Sequence, residues 1–552
     1  MRRPLVSPWA LIGLSVAFPQ TLAAQEQATP PEPPLLRVEI AGPAMWRALL
    51  TPTNLGSLMA SEQGAQLWQP VLYPIEQMLT SALGTDDLTE AKGRILDYSG
   101  TTSLAIWGDP DTEEVQVELV MSGDGRTDMA AMGAELATLV ALATGQSWQT
   151  VKRGDASIRV LDLGPVLMLT EPRERNGTLT AVVASETELV DVVQRSTRRQ
   201  QPKPDNTSPP TRASAPLLAI HCDVVSAVAA IEHDGLFGQW EDALLTLSGL
   251  PTVEEFTFEL GVAGPHLRID LRQSFLSDDR AAMSAFFPDR QGLPKLANLP
   301  APDSTGWKTG YFDMQAFYEA LLSAVNAATD GEWDEEVHQF FGGDAKTGIQ
   351  AFMTGEYVMF GSGLDLNNPF DNSPSYGLAF ALSDEDQFRK AWQTATGAWG
   401  WKETYSEDVE GMLLQSLQLN NQTWCGIGHG LFLFSSGEKA ESRIRDLAIA
   451  VAENPNWKAQ PVTPSAELQR LLRHAPPGLN GYAQGHIGEM YAQIGLAFSI
   501  LNDLVDVPSL EWELGQDNQR EDVMELLTKH GLLRAYSMTG YHNRRWHHRM
   551  LW

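Results

Sequence analysis

The sequence predicts an α+β fold: two homologous units of antiparallel hairpins and meanders, with capped helices packed on one face. Three observations predict it. Four stretches begin alike, each just after prolines. A strand–turn–strand pattern recurs four times. Ser/Asp helix-start signals follow three of those hairpins.

The four openings are PPLLRVEIAGPAMWRALL (33–50), APLLAIHCDVVSAVAAI (215–231), STGWKTGYFDMQAFYEALL (304–322) and PGLNGYAQGHIGEMYAQIG (477–495). Each reads as a short strand and then a helix start. Asp223 and Asp313 stand at two of the junctions, where a carboxylate can cap free helix N–H groups. A helix running into a hairpin falls at 240–275 and at 520–551, and the same strand–turn–strand form at 99–121 and, with a longer loop, at 351–384. Their second strands alternate with period two. Val115, Val117, Leu119 and Met121 share one face, and Leu267, Ile269 and Leu271 oppose Arg268, Asp270 and Arg272. Helix starts follow at SGDGRTDMAAM (122–132), SDDRAAMSAFF (277–287) and SDEDQFRKAW (383–392). Stretches 148–193 and 401–447 then run in parallel through further strands to a last helix.

The predicted division is a first unit over 35–295 and a second over 303–552. Pro/Ser/Arg-rich 195–216 is a linker inside the first. Residues 1–24 form a secretory signal peptide: Arg2 and Arg3, an apolar run PWALIGLSVAF (8–18), and small residues before a cut after Ala24. A Pro-rich leader fills 25–34. The apolar run is shorter than the ~20 residues a bilayer span needs. The expected product is exported, periplasmic or extracellular, with no integral membrane segment once the signal is cut.

Charge narrows the partners. Cleavage after Ala24 takes the formal charge from −31 to −33. That argues against nucleic acid, whose phosphates need a basic face. Two cysteines, Cys222 and Cys425, are too few for a disulfide scaffold; one bridge and two buried thiols both remain open.

The tail YHNRRWHHRMLW (541–552) reads as the last strand of the fourth hairpin. Trp546, His548, Met550 and Trp552 lie on one face, and Arg545, His547 and Arg549 on the other. His547 and His548 point apart and cannot share a metal. No acid occurs after Glu525. Two readings of the outward row stay open: pairing with the protein's own carboxylates, or contact with an anionic ligand or partner through Arg545, His547 and Arg549.

Other motifs carry less. Ser436–Lys439 matches S-x-x-K, and K-T-G occurs at Lys308–Gly310 and Lys346–Gly348, but both precede the serine, the reverse of the order in penicillin-recognising enzymes. Cys425-Gly426-Ile427-Gly428-His429-Gly430 has glycines at the wrong spacing for a dinucleotide loop and leads into a strand. Acid-rich loops at 108–114, 364–375 and 330–336 lack the EF-hand pattern. Trp399, Trp401 and Tyr405 are candidates for an aromatic surface for sugar or peptide, or for sheet packing. No cofactor or metal is expected.

Signal peptide, repeat layout and prolines before each first strand make the chain resemble the uncharacterised secreted tandem-repeat proteins of Gram-negative bacteria, the domain-of-unknown-function type. That resemblance implies no activity and transfers no functional residue. The expectation is an exported, non-enzymatic binding or scaffold protein of unknown ligand or protein partner, with a site at the interface between repeat units. The alternative is an extracytoplasmic hydrolase with a carboxylate site outside the known motifs, two acids converging with pKa values pushed apart.

Overall fold

The computed structural model describes residues 34–62, 97–185, 216–226, 247–277, 285–299, 306–361, 376–458, 469–486 and 528–552, short breaks inside these ranges excepted. The signal segment, the 195–216 linker and the 364–375 loop lie outside them.

The chain forms two compact units, residues 1–236 with 255–267, and 237–254 with 268–552. The strands of the first are β1 (Leu36–Ala41), β2 (Thr101–Asp109), β3 (Glu114–Ser122), β4 (Gln149–Arg153), β5 (Ala156–Asp162), β6 (Leu167–Thr170), β7 (Arg173–Arg175), β8 (Thr178–Ser185), β9 (Leu218–Asp223) and most of β10 (Val253–Ala263). Those of the second are β11 (His266–Phe275, from Arg268), β12 (Gly306–Tyr311), β13 (Met353–Gly361), β14 (Tyr376–Leu382), β15 (Glu403–Val409), β16 (Met412–Leu417), β17 (Thr423–Gly428), β18 (Leu431–Ser436), β19 (Leu479–His486), β20 (Arg534–His542) and β21 (Arg545–Leu551). Among the described residues the helices include α1 (Pro43–Leu50), α2 (Asn54–Ala60), α3 (Met129–Thr144), α4 (Met314–Thr329), α5 (Asp334–Phe340), α6 (Glu385–Ala398) and α7 (Ala440–Glu453).

In the first unit the antiparallel order is β4-β5-β6-β8-β3-β2-β1-β9-β10, with β7 also on β8. In the second it is β15-β16-β17-β18-β14-β13-β12-β19-β20, extended by β21 and β11. The same nine-strand order therefore occurs in each unit. Helix starts use local caps, as the Asp signals imply. Asp223 Oδ1 accepts from Ser226 N at 3.1 Å, Asp313 Oδ1 from Ala316 N at 3.1 Å, and Asp384 Oδ1 from Gln387 N at 3.0 Å.

The expected α+β class is corrected. Twenty-one antiparallel strands dominate the described residues and helices are few. Nor do helices keep to one face. In the second unit α7 packs Ile444, Leu447 and Val451 on one side of the sheet, against Leu414 and Leu433. Helices α4, α5 and α6 cover the other side, where Tyr318, Val337 and Phe388 meet Cys425, Ile427 and Phe432. The reason is written in β17 and β18. TWCGIG is buried at every position and LFLF at three of four, so these strands are apolar on both faces and need cover on both. Each fully buried Ile, Leu or Val of α7 contributes about 1.5–3 kcal/mol.

Gly426 and Gly428 belong to that packing. A Cβ on Gly428 would come within 2.7 Å of Met412 Cα, and one on Gly426 within 2.9 Å of Leu414. Their missing side chains let β16 approach. No helix among the described residues is long and apolar enough to cross a membrane.

Candidate functional site

The tail occupies the expected terminal strand, β21, joined to β20 through Asn543 and Arg544 at φ 51° and 60°. Two left-handed residues make the tight turn that suits strand twist. Arg549 lies directly opposite Asp270, and His547 opposite Arg272. Asp270 is fully buried. Arg549 Nε donates to its Oδ1 at 2.6 Å and Nη2 to Oδ2 at 2.9 Å, while Nη1 donates to the His474 carbonyl at 2.6 Å. His547 Nε2 lies 3.1 Å from Oδ1, and Arg268 Nε 3.1 Å from Oδ2. Burial alone would raise this carboxyl; the hydrogen bonds and charges of His547 and Arg549 outweigh it and hold it well below the usual range. The structure thus spends His547 and Arg549 on an internal carboxylate. Arg545, at the strand's start, is exposed.

On the other face His548 stacks on Trp546 with ring centroids 5.7 Å apart. Burial, with Lys308 and His547 nearby, pushes its imidazole down to about 4.

The remaining motifs are dispersed. Cys425 is fully buried in β17, its thiol 3.8 Å from Gln415 Oε1 and pushed up to about 12 by burial. His429 sits on the β17–β18 turn at φ 54°, Nε2 2.8 Å from the Glu410 carbonyl. A nucleophilic cysteine needs a lowered pKa; this one is raised. Both cysteines are free thiols. Ser436 ends β18, and Lys439 lies outside the described residues. Thr309 of the first K-T-G donates to the Tyr357 carbonyl at 2.8 Å. Lys346–Gly348 forms a turn in which Asp344 Oδ1 accepts from Lys346 N and Thr347 N, both at 3.0 Å. No group of three metal-ligating side chains occurs among the described residues.

The aromatic candidates do converge, with an addition. Val337 and Phe341 anchor α5 and its C-cap in the core, which leaves Phe340 53% exposed. Its carbonyl accepts from Trp399 Nε1 at 3.0 Å. The Phe340 and Trp399 rings are 5.3 Å apart, Trp399 and Trp401 4.4 Å, and Trp392 backs both indoles. Trp399 N donates to the Ala395 carbonyl and Trp401 N to the Thr396 carbonyl, each at 2.9 Å, so the end of α6 fixes the backbone at both residues. Tyr405 is not part of this surface: it packs on Trp424 and donates to Glu407 Oε2 at 3.1 Å.

An acidic run leads up to Phe340 in the sequence. The 330–336 acidic run is largely the start of α5, with Asp334, Glu335 and Glu336 in the first turn, where the helix dipole favours them. Glu336 lies one turn before Phe340 on the same side. Glu332 and Glu336 are exposed and make no ion pair among the described residues. Phe340 was not legible as a surface residue, since FF (340–341) reads as a core pair; the acidic run ending four residues earlier was the available signal.

No family model matches the chain, and no curated protein does. Solved structures similar to it include TP0453 in crystal form IV, at 10% identity and a TM-score of 0.22, covering 44% of this chain and 76% of that one. Crystal form III gives 10% identity and a TM-score of 0.20 over the same shares. Likeness at that level carries no argument about fold or function.

Proposed function

We propose that this chain is an exported, non-enzymatic binding protein that meets its partner through the Phe340–Trp399–Trp401 face. One observation supports the reading above others: a half-exposed phenylalanine in tilted contact with Trp399, which in turn meets Trp401 edge-on and is tied by its Nε1 to the Phe340 carbonyl. Single exposed apolar residues need no explanation. Aromatics held in one orientation and joined at a surface are what recognition uses, because they bury large area at small entropic cost. Export rests on the signal-peptide pattern over 1–24.

The test is a photo-reactive residue at position 340 of the mature chain, incubated with the compartment it is exported to. Position 449, where Ile449 is also exposed, serves as control. A discrete adduct at 340 and none at 449 supports the reading. Equal labelling at both, or none at 340, overturns it.

A further inference from the structure

We infer that the occupant of this surface is a cationic protein segment, placing a lysine or arginine and a neighbouring apolar side chain against Phe340, Trp399 and Trp401. This rests on the binding role proposed above and adds the chemistry of the partner. Three features converge. The first is the aromatic group itself, Phe340 half exposed with Trp399 and Trp401 partly buried beside it, whose electron-rich rings attract ammonium and guanidinium groups.

The second is local charge. Residues 331–346, GEWDEEVHQFFGGDAK, carry five acids and one lysine. Glu336 lies a turn from Phe340 on the same side of α5 and is exposed. Lys346 offsets only part of this charge. The third is the end of α6. Trp399 follows the last residue of that fourteen-residue helix, and a helix C-terminus carries partial negative charge that favours cations.

The alternatives fit less well. A neutral sugar would stack on the rings and donate hydroxyls to the carboxylates, but would gain no attraction from the net negative charge. An acidic segment would be repelled by them and by the chain's formal charge of −31.

A random peptide library displayed on phage tests this. It is selected against the mature chain, residues 25–552, and against two variants, Phe340→Ser and the double charge reversal Glu332→Lys/Glu336→Lys. All three positions are exposed, so the variants keep the fold, checked by circular dichroism. The expected peptides carry net positive charge, with Lys or Arg beside Trp, Phe or Leu. Their affinity falls at least ten-fold in each variant and falls again as salt is raised. Phe340-dependent peptides that are neutral or acidic overturn the cationic assignment and leave the binding surface standing. Cationic peptides indifferent to the charge reversal also overturn that assignment. Enrichment independent of Phe340, or none, overturns both readings.

Discussion

Asp270 faces Arg549 across the β11–β21 ladder and accepts both Nε and Nη2 of its guanidinium, at 2.6 and 2.9 Å. The last strand of the chain is thereby fixed by charge as well as by backbone pairing. Its register is specified too, since a one-residue slip would turn Arg549 to the opposite face.

Removing one partner should be costly. Arg549→Met leaves a fully buried carboxylate short of its bidentate donor, and Asp270→Ala leaves arginines uncompensated. Each is expected to destabilise by about 3–5 kcal/mol. Urea unfolding midpoints check this, and a double variant should lose much less than the two single losses combined.

Acid should weaken the fold in two stages. The folded pKa of His548 is about 4, below its ordinary 6.5, so the fold favours the neutral ring. Its contribution is complete above pH 6.5 and is lost as pH falls through 6.5 towards 4, about 3 kcal/mol in all at 1.36 kcal/mol per unit. The Asp270 carboxyl is lowered as well, so its contribution is present above the usual carboxylate pKa and is lost only below about pH 4. Stability measured between pH 7.5 and 4.5 should fall, and His548→Leu should flatten that slope.

The thiols should differ in access. Cys222 is partly exposed with a raised pKa and should label slowly in the native state; Cys425 should label only on unfolding. Mass spectrometry after alkylation without reductant is expected to show two labels in the unfolded chain.

Two glycines give opposite expectations. A Cβ on Gly377 would lie 2.2 Å from the Phe360 ring, whereas one on Gly397 meets nothing within 4 Å. Gly377→Ala should destabilise by about 1–3 kcal/mol. Gly397→Ala, inside α6, should stabilise by about 0.5–1 kcal/mol. Thermal midpoints distinguish them.

Much of the strand layout was legible. Alternation placed the hairpins, and Asp223, Asp313 and Asp384 marked the helix starts they cap. Helix placement was not, because runs such as LFLF and CGIG do not reveal that both faces need cover. The tail's two faces were readable from period two. Its partner Asp270 was not identified, although Arg268-Asp270-Arg272 shows one acid alternating with two bases. Trp399 and Trp401 were visible as candidates, but Phe340 joins them through tertiary packing, which no local spacing encodes.

Native mass spectrometry of the exported chain, beside its Phe340→Ser variant, tests the central claim most directly. The expected result is a mass beginning at residue 25 with a stoichiometric partner bound, and loss of that partner in the variant. A bare mass in both, or a partner retained by Phe340→Ser, would contradict it.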